Sequence, residues 1–328
     1  MSLHASSLTT ENLPDTGSGE PISIPGGVEQ AEVEVEGKAV RLSNLNKVFW
    51  PEGPYTKRDL LQYYADIAPF LLPHLLNRAM VMKRYPDGAY GEFFFQKRAP
   101  KTRPEWLPIC EILHASQNLV DFPVIQNSAG LLWLVNLGCI DLNQWYARCD
   151  DVDRPDYLHF DLDPTPGAEF PQVREAALAV RDALKERNIP CYPKTSGSRG
   201  IHIYVPIVRG PLQKKVWTFA KQFAKELALH HPALLTAEYK VAARPPGHVL
   251  VDYNQNAWGR TLASVYSVRP RPGAPVSTPV TWGEVEKGIS TEDFRMDNVP
   301  ARVRRLGDLF APMVPGADSQ RVNLEELS

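Results

Sequence analysis

The chain has 328 residues, 43% of them hydrophobic and 23% charged, which suits an ordinary soluble globular protein with one elaborate domain or two closely joined lobes. No apolar run approaches the roughly 20 residues of a membrane span, no basic and apolar signal segment opens the N-terminus, and a cytoplasmic location is expected. Cys110, Cys139, Cys149 and Cys191 lack Cys-x-x-Cys spacing, which argues against a zinc site or a disulfide framework and favours buried free thiols.

The net charge of −2 argues at first against a polyanion partner. The average hides an asymmetry: residues 1–30 hold four acids and no Lys or Arg, and residues 311–328 hold three acids against Arg321, so the part between carries +4. That balance is compatible with nucleic acid but does not demand it, and local clusters must decide.

Residues 1–30 are rich in Ser, Thr, Gly and Pro without periodicity and read as a disordered acidic tail, with folded structure expected from Ala31. Alternation over 33–36 and 39–42 around Gly37 predicts a hairpin. Thr56 is the expected N-cap of a helix to Leu72, with Leu60, Leu61, Tyr64 and Ile67 at helical spacing. Strands are expected over 80–84 and 92–96, flanking the Pro86-Asp-Gly88 turn, and a helix over 128–137. If 92–96 is a strand, one of Phe93 to Phe95 should face a core.

From residue 157 the order becomes regular: strand 158–162, helix 172–187, strand 191–195, strand 201–207, helix 213–230 and strand 249–252. This β-α-β-β-α-β order is the split βαβ plan of ferredoxin-like and RNA-recognition folds. An appended strand over 263–268, a short helix in 280–287 and a last helix over 295–309 complete an α+β reading, ahead of a C-terminal tail at 311–328.

Three segments carry chemistry. Asp161 and Asp163, two apart on a strand, point to one face, and adjacent carboxylates invite a divalent cation. The loop Lys194-Thr-Ser-Gly-Ser-Arg-Gly-Ile-His202 has Gly197 and Gly200, which let backbone N–H groups converge in a nest suited to phosphate, with Arg199 able to add a bidentate contact. It is not a Walker A loop, and a plain hairpin turn is the alternative. Asp252 ends an apolar strand that the split βαβ plan allows beside Asp161 and Asp163. Three carboxylates can hold two Mg²⁺ or Mn²⁺ ions for phosphoryl transfer.

The ordered segments His159-Phe-Asp-Leu-Asp-Pro164, Thr195 to His202, Val249 to Asn256 and Tyr266 to Pro279 resemble the polymerase domain of bacterial ligase D, a member of the archaeo-eukaryotic primase superfamily. The likeness runs from about Val33 to about Leu309. It implies a primase-polymerase domain at 31–310, with an N-terminal α/β module at about 31–156 and a catalytic module built on the split βαβ sheet at about 157–310. No ligase or phosphoesterase region is visible, so the chain looks like a stand-alone enzyme of a bacterial cytoplasm and nucleoid.

The resemblance implies that Asp161, Asp163 and Asp252 are catalytic and hold two ions, Mn²⁺ or Mg²⁺. It assigns Ser196, Gly197, Arg199, His202, Arg269 and Asn143 to the nucleotide, with Lys240 and Arg244 near the site. The family often has Lys where Arg199 stands, and many members have His where this chain has Asn143, which can hydrogen-bond but carries no charge. Trp145 keeps the surrounding pattern. Asn44, Lys47 and Lys57 match the family pocket for a 5′-phosphate, Lys83 a further basic contact, and Phe94 with Phe95 an aromatic pair that stacks on DNA.

The implied function is a DNA-directed nucleotidyltransferase that extends a primer across short gaps or broken ends in end-joining repair, with NTPs preferred over dNTPs. Its implied partners are gapped or broken DNA with a 5′-phosphate, nucleoside triphosphates, an end-binding protein and a separate ligase, and no membrane. De novo priming and non-catalytic DNA-end binding are the alternatives.

Overall fold

The computed structural model describes residues 21–114, 117–317 and 320–326, so most of the tail expected at 1–30 lies outside the described residues. Packed chain begins before Ala31: Ile24 is fully buried and its amide donates to Gln62 Oε1 at 2.9 Å.

The first half builds outward from one helix. Strands β1 (Gln30–Val35) and β2 (Lys38–Ser43) form the expected hairpin, turning at Glu36 and Gly37, both at positive φ. The short pair β3 (Val48–Trp50) and β4 (Tyr55–Thr56) delivers the chain to α1 (Lys57–Leu75). Thr56 caps α1 with a reciprocal box: its hydroxyl accepts from the Asp59 amide, and the Asp59 carboxylate accepts from the Thr56 amide. Leu60, Leu61, Tyr64, Ile67 and Leu71 recur at helical spacing and are fully buried.

Strand β5 (Met80–Arg84) lies between β6 (Phe94–Gln96) and, from farther along the chain, the strand Cys139–Gln144. Between them come the hairpin β7 (Ile109–Leu113) and β8 (Leu119–Pro123), then α2 (Ser128–Asn136), capped by Asn127, and then β9 (Cys139–Gln144) itself. The pair β10 (Ala147–Arg148) and β11 (Asp151–Pro155) closes this half. Here Asp156, buried, takes both Arg78 Nη2 contacts at 2.6 and 2.8 Å and Arg148 Nε at 2.9 Å.

The second half follows the predicted plan: β12 (Tyr157–Pro164), α3 (Phe170–Glu186), β13 (Tyr192–Thr195), β14 (Ile201–Pro206), α4 (Gln213–His230), a short β15 (Leu235–Thr236) and β16 (Val249–Asp252). The sheet order is β13-β14-β12-β16-β15, antiparallel except for the added edge pair β15 and β16. Leu158, Phe160 and Leu162 face α3 and α4, with the Phe160 and Phe223 rings 4.8 Å apart. The opposite face of β12 carries the polar residues.

Two expectations are corrected after Asp252, and the short helix expected in 280–287 is found. Residues 263–268 make no strand: Tyr266 sits at φ 60, and only single bridges such as Val268 to Val276 form. This irregular segment instead joins the two halves, its Ser264 amide donating to Leu142 O and its Ser267 hydroxyl accepting from the Leu142 amide. The short helix α5 (Trp282–Lys287) is capped by Thr281. The last helix, α6 (Val299–Leu306), is shorter than 295–309, starting at Pro300 in its first turn and stopping at Gly307, φ 73. Beyond it the chain returns to the core, where Val322 bridges Ile207. The main apolar core draws on residues from Ile24 to Leu324, and a smaller separate cluster gathers around Val81, Ile112, Phe122 and Trp145.

Candidate active site

Directly opposed residues of an antiparallel pair share a face. The register opposes Lys194 to His202, His202 to Asp161, and Asp161 to Asp252, so these four form one row across β13, β14, β12 and β16. Asp163, two residues along β12, lies on the same face. Thus the topology brings Asp161, Asp163 and Asp252 together, from segments far apart in sequence.

The electrostatics of the three acids are unbalanced. Asp161 is pushed up to about 7, first by burial and then by Asp252; Asp163 also reaches about 7, first through the charge of Asp161 and then through burial. Arg199 and Arg244 oppose the rise at Asp163 without cancelling it. Asp161 Oδ1 is buried and has no hydrogen-bond partner, although His202 Nε2 lies 3.2 Å away, off the axis of a good bond. Such a set of hard, crowded carboxylate oxygens is the donor chemistry of Mg²⁺ or Mn²⁺. The fit is by donor type rather than by a closed cage. Asp252 spends Oδ1 on the Asn254 amide and Oδ2 on Gln255 Nε2, and no three acidic, His or Cys side chains among the described residues form a ready metal cage.

The loop between β13 and β14 curls as its glycines require. Gly197 sits at φ 66, and a Cβ there would come within 2.7 Å of Arg269 Cγ and 2.9 Å of the Ser277 amide; a Cβ on Gly200 would collide with the Leu162 carbonyl oxygen. The amides of Ser198 and Gly200 do converge on one point, but Ser196 Oγ occupies it, at 3.1 and 3.0 Å. The expected open nest is therefore closed around a hydroxyl. Arg199 is exposed at the rim, and Arg269 donates to Ser196 O at 2.7 Å.

A fourth acid, not singled out from the sequence, organises the neighbouring cations. Asp141, on β9 and nearly fully buried, places Oδ2 3.5 Å from both Lys83 Nζ and Arg269 Nε. The backbone carbonyl of the same residue accepts from Asn143 Nδ2 at 3.0 Å, and Asn143 is buried too. A charged residue inside the wholly buried strand Cys139–Gln144 was the available signal. Lys83 stands 4.4 Å from the centre of the Phe93 ring and 5.6 Å from that of Phe95, while Arg84 lies over Phe94. Contrary to expectation, none of the three Phe faces a core: Phe93, Phe94 and Phe95 are 51%, 45% and 59% exposed.

Asn44, Lys47 and Lys57 also come together. The Lys47 amide donates to Asn44 O and the Lys57 amide to Lys47 O, with Asn44 held at φ 56. Lys57 is buried, its Nζ donating to Ser43 O at 2.7 Å, and burial, then Lys47 and Arg84, push it down to about 8. Lys47 Nζ is engaged by Asp87 and Pro86 O at 2.7 and 2.8 Å. Lys240 and Arg244 sit in an exposed turn, where Arg244 holds the carbonyls of Glu238 and Tyr239. No helix among the described residues is long and apolar enough to cross a membrane.

Comparison with known proteins agrees with this architecture. The family model for the LigD primase-polymerase domain matches residues 56–310. The multifunctional non-homologous end joining protein LigD of Mycolicibacterium smegmatis is 33% identical over 291 residues, which is 88% of this chain and 37% of that protein. The bifunctional LigD of Bacillus subtilis is 30% identical over 277 residues, 83% of this chain and 43% of that protein. The chain thus spans less than half the length of these relatives. Among solved structures, the polymerase domain of Mycobacterium tuberculosis ligase D in complex with DNA superposes with a TM-score of 0.79 at 31% identity, covering 85% of this chain and 98% of that one. The chain belongs to the LigD primase-polymerase domain family and is a nucleotidyltransferase of that class.

Proposed function

We propose that this chain extends a DNA primer across short gaps or broken ends during end-joining repair, taking NTPs in preference to dNTPs. The observation that carries the reading is the direct opposition of Asp161 and Asp252, with Asp163 on the same face and Arg199, His202 and Arg269 beside them. Asp161, Asp163 and Asp252 would hold Mn²⁺ or Mg²⁺, which when bound lowers the charge of the site and favours ionisation of an attacking hydroxyl. Arg199 and Arg269 supply fixed positive charge to a triphosphate, and Arg269 is pre-aimed by its bonds to Ser196 O and its proximity to Asp141. Ser196 keeps the loop folded, and Gly197 lets Arg269 and the Ser277 backbone approach it. Asn143, buried and tied to its own strand, offers a neutral amide to the nucleotide.

DNA would lie across the basic and aromatic surface. The exposed rings of Phe94 and Phe95 suit stacking on bases or a duplex end, worth about 1–3 kcal/mol per base. Lys83 and Lys57 bring positive charge to the backbone, and Asn44, Lys47 and Lys57 would receive a 5′-phosphate once Lys47 leaves Asp87. An end-binding protein and a separate ligase would be its natural partners.

The test is incorporation of one labelled nucleotide into a gapped duplex, with and without a 5′-phosphate at the far side of the gap. Wild-type protein with Mn²⁺ should extend the primer, and D161A/D163A should bind the same DNA without extending it. Extension by the double variant at the wild-type rate would remove the assignment. Product from template and nucleotides alone would make it a primase as well.

A further inference from the structure

Lys194 is a costly residue to keep where it stands. Its side chain is fully buried, no carboxylate lies within ion-pair distance of it among the described residues, and taking an ammonium out of water costs several kcal/mol before partners are counted. An apolar side chain of the same length would pack there without that cost. What the amine has instead is a complete set of three polar neighbours: Ala263 O at 3.0 Å, Ser277 Oγ at 2.5 Å and His202 Nδ1 at 2.8 Å. The ring face of Tyr204 adds a contact at 5.6 Å to its centre.

Hydrogen counting ties the roles to the charge of Lys194, which burial and then Arg269 push well below its ordinary value while Asp161 and Asp141 oppose the fall. A carbonyl can only accept. The Ser277 hydroxyl hydrogen is spent on Thr195 O, at 2.9 Å, so its oxygen turns a lone pair to Lys194. As an ammonium, with three N–H donors and no acceptor, Lys194 meets a lone pair on His202 Nδ1 with its third donor, whereas a neutral amine would accept from Nδ1–H there, and the labelled-histidine measurement separates the two. The ammonium leaves the imidazole proton on Nε2, the nitrogen 3.2 Å from Asp161 Oδ1. Against it, the opposite tautomer would set two N–H groups against each other at Nδ1 and a lone pair against a carboxylate at Nε2.

We propose that Lys194 is a positioning residue that fixes the tautomer and ring orientation of His202, so that His202 presents Nε2–H to the triphosphate beside Asp161. Ala263 and Ser277 belong to the same device, since they hold Lys194 in place. Both come from the chain after Asp252, which packs on the loop through the Ser277 hydroxyl bond to Thr195 O, so the orientation of His202 is set from outside the three carboxylates. The inference rests on the nucleotidyl-transfer reading for its kinetic consequence, and on geometry alone for the tautomer.

The test uses the whole chain with ¹⁵N-labelled histidine, metal-free and without nucleotide, and reads the His202 tautomer by long-range ¹H–¹⁵N correlation, with H202Q to assign the signal. Wild-type protein should show the Nε2–H pattern. K194M, which removes the donor while keeping length, should lose it for the Nδ1–H form or a mixture, and should raise the KM for nucleoside triphosphate about tenfold, the loss of one hydrogen bond to a charged group, with a smaller change in kcat. S277A, which removes one acceptor without touching the amine, should move both readouts the same way to a lesser degree and serves if K194M does not fold. An unchanged Nε2–H signal in both variants overturns the proposal, as does a changed tautomer with an unchanged KM. A tautomer shift in K194M together with a wild-type chain that incorporates no nucleotide would refute the polymerase reading and leave the role of Lys194 toward His202 standing.

Discussion

Asp161 and Asp252 stand directly opposite one another on neighbouring antiparallel strands, and among the described residues neither has a cationic side chain bonded to it apart from the off-axis approach of His202 to Asp161. With Asp163 on the same face, the fold concentrates negative charge that its own residues do not neutralise.

The metal-free protein should therefore lose stability as pH rises. Asp161 and Asp163 titrate near 7 in the folded chain against an ordinary value of 3.8, so between those values the folded chain holds protons that the unfolded chain has released. Their contribution is fully present at the acid end of that window and fades toward pH 7. In EDTA, the Tm difference between D163N and wild type should grow in favour of D163N from pH 5 to pH 7.5, and millimolar MnCl₂ should close it by stabilising only the wild type. Parallel Tm curves for the two proteins across that range would contradict the charge-crowding account.

Asp141 should behave as a shared anchor. D141N keeps the shape but removes the charge that lies 3.5 Å from both Lys83 and Arg269. The expected result is a KM for nucleoside triphosphate raised about tenfold together with weaker DNA binding, because two cations lose their common reference. Steady-state kinetics and fluorescence anisotropy check the two halves. A change in only one of them would mean that Asp141 serves a single cation.

Recognition of a 5′-phosphate should weaken in alkali. Lys57, lowered to about 8 from 10.5 by burial and then by Lys47 and Arg84, is charged below pH 8 and neutral above it. A bound phosphate favours the charged form, so affinity for 5′-phosphorylated gapped DNA should fall about tenfold between pH 7 and pH 9.5, while that for the unphosphorylated gap changes less. K57M should flatten the difference. In the DNA-free protein the same shift has the opposite sign for stability: the unfolded chain binds more protons from 8 to 10.5, so this contribution rises with pH there.

Breaking the buried ion cluster at the junction of the two halves should be costly. Burial alone would raise Asp156, but Arg78 and Arg148 outweigh it and hold its carboxyl below the ordinary range. Its stabilising share is present above about pH 4 and is lost as pH falls through the lowered value. D156A, which strands two guanidinium groups, should destabilise the chain by about 3–5 kcal/mol in urea titration. A loss well under 1 kcal/mol would show that water reaches the cluster.

Much of this was legible in the sequence because local rules and global fold agree. Thr56 with Asp59 announces α1, and the β-α-β-β-α-β order announces the sheet that sets Asp252 beside Asp161. What was not legible depends on contacts between distant segments. Residues 263–268 have strand-like composition, yet Tyr266 takes a left-handed conformation between Ser264 and Ser267, which are both bonded to Leu142 of β9. Phe93 to Phe95 look like a core strand, but β6 lies at a sheet edge with both faces toward solvent. Lys194 and Asp141 are hidden because their partners arrive from Ser277 and Arg269, far along the chain.

The row Lys194, His202, Asp161 and Asp252 is assembled one residue from each of four strands, and a slip of a single residue in any one of them turns its member to the helical face. Half a site is therefore not on offer. Chains that have collapsed but not settled their strand pairing should be catalytically silent, and the first nucleotide added after refolding marks the moment when all four strands have found their places.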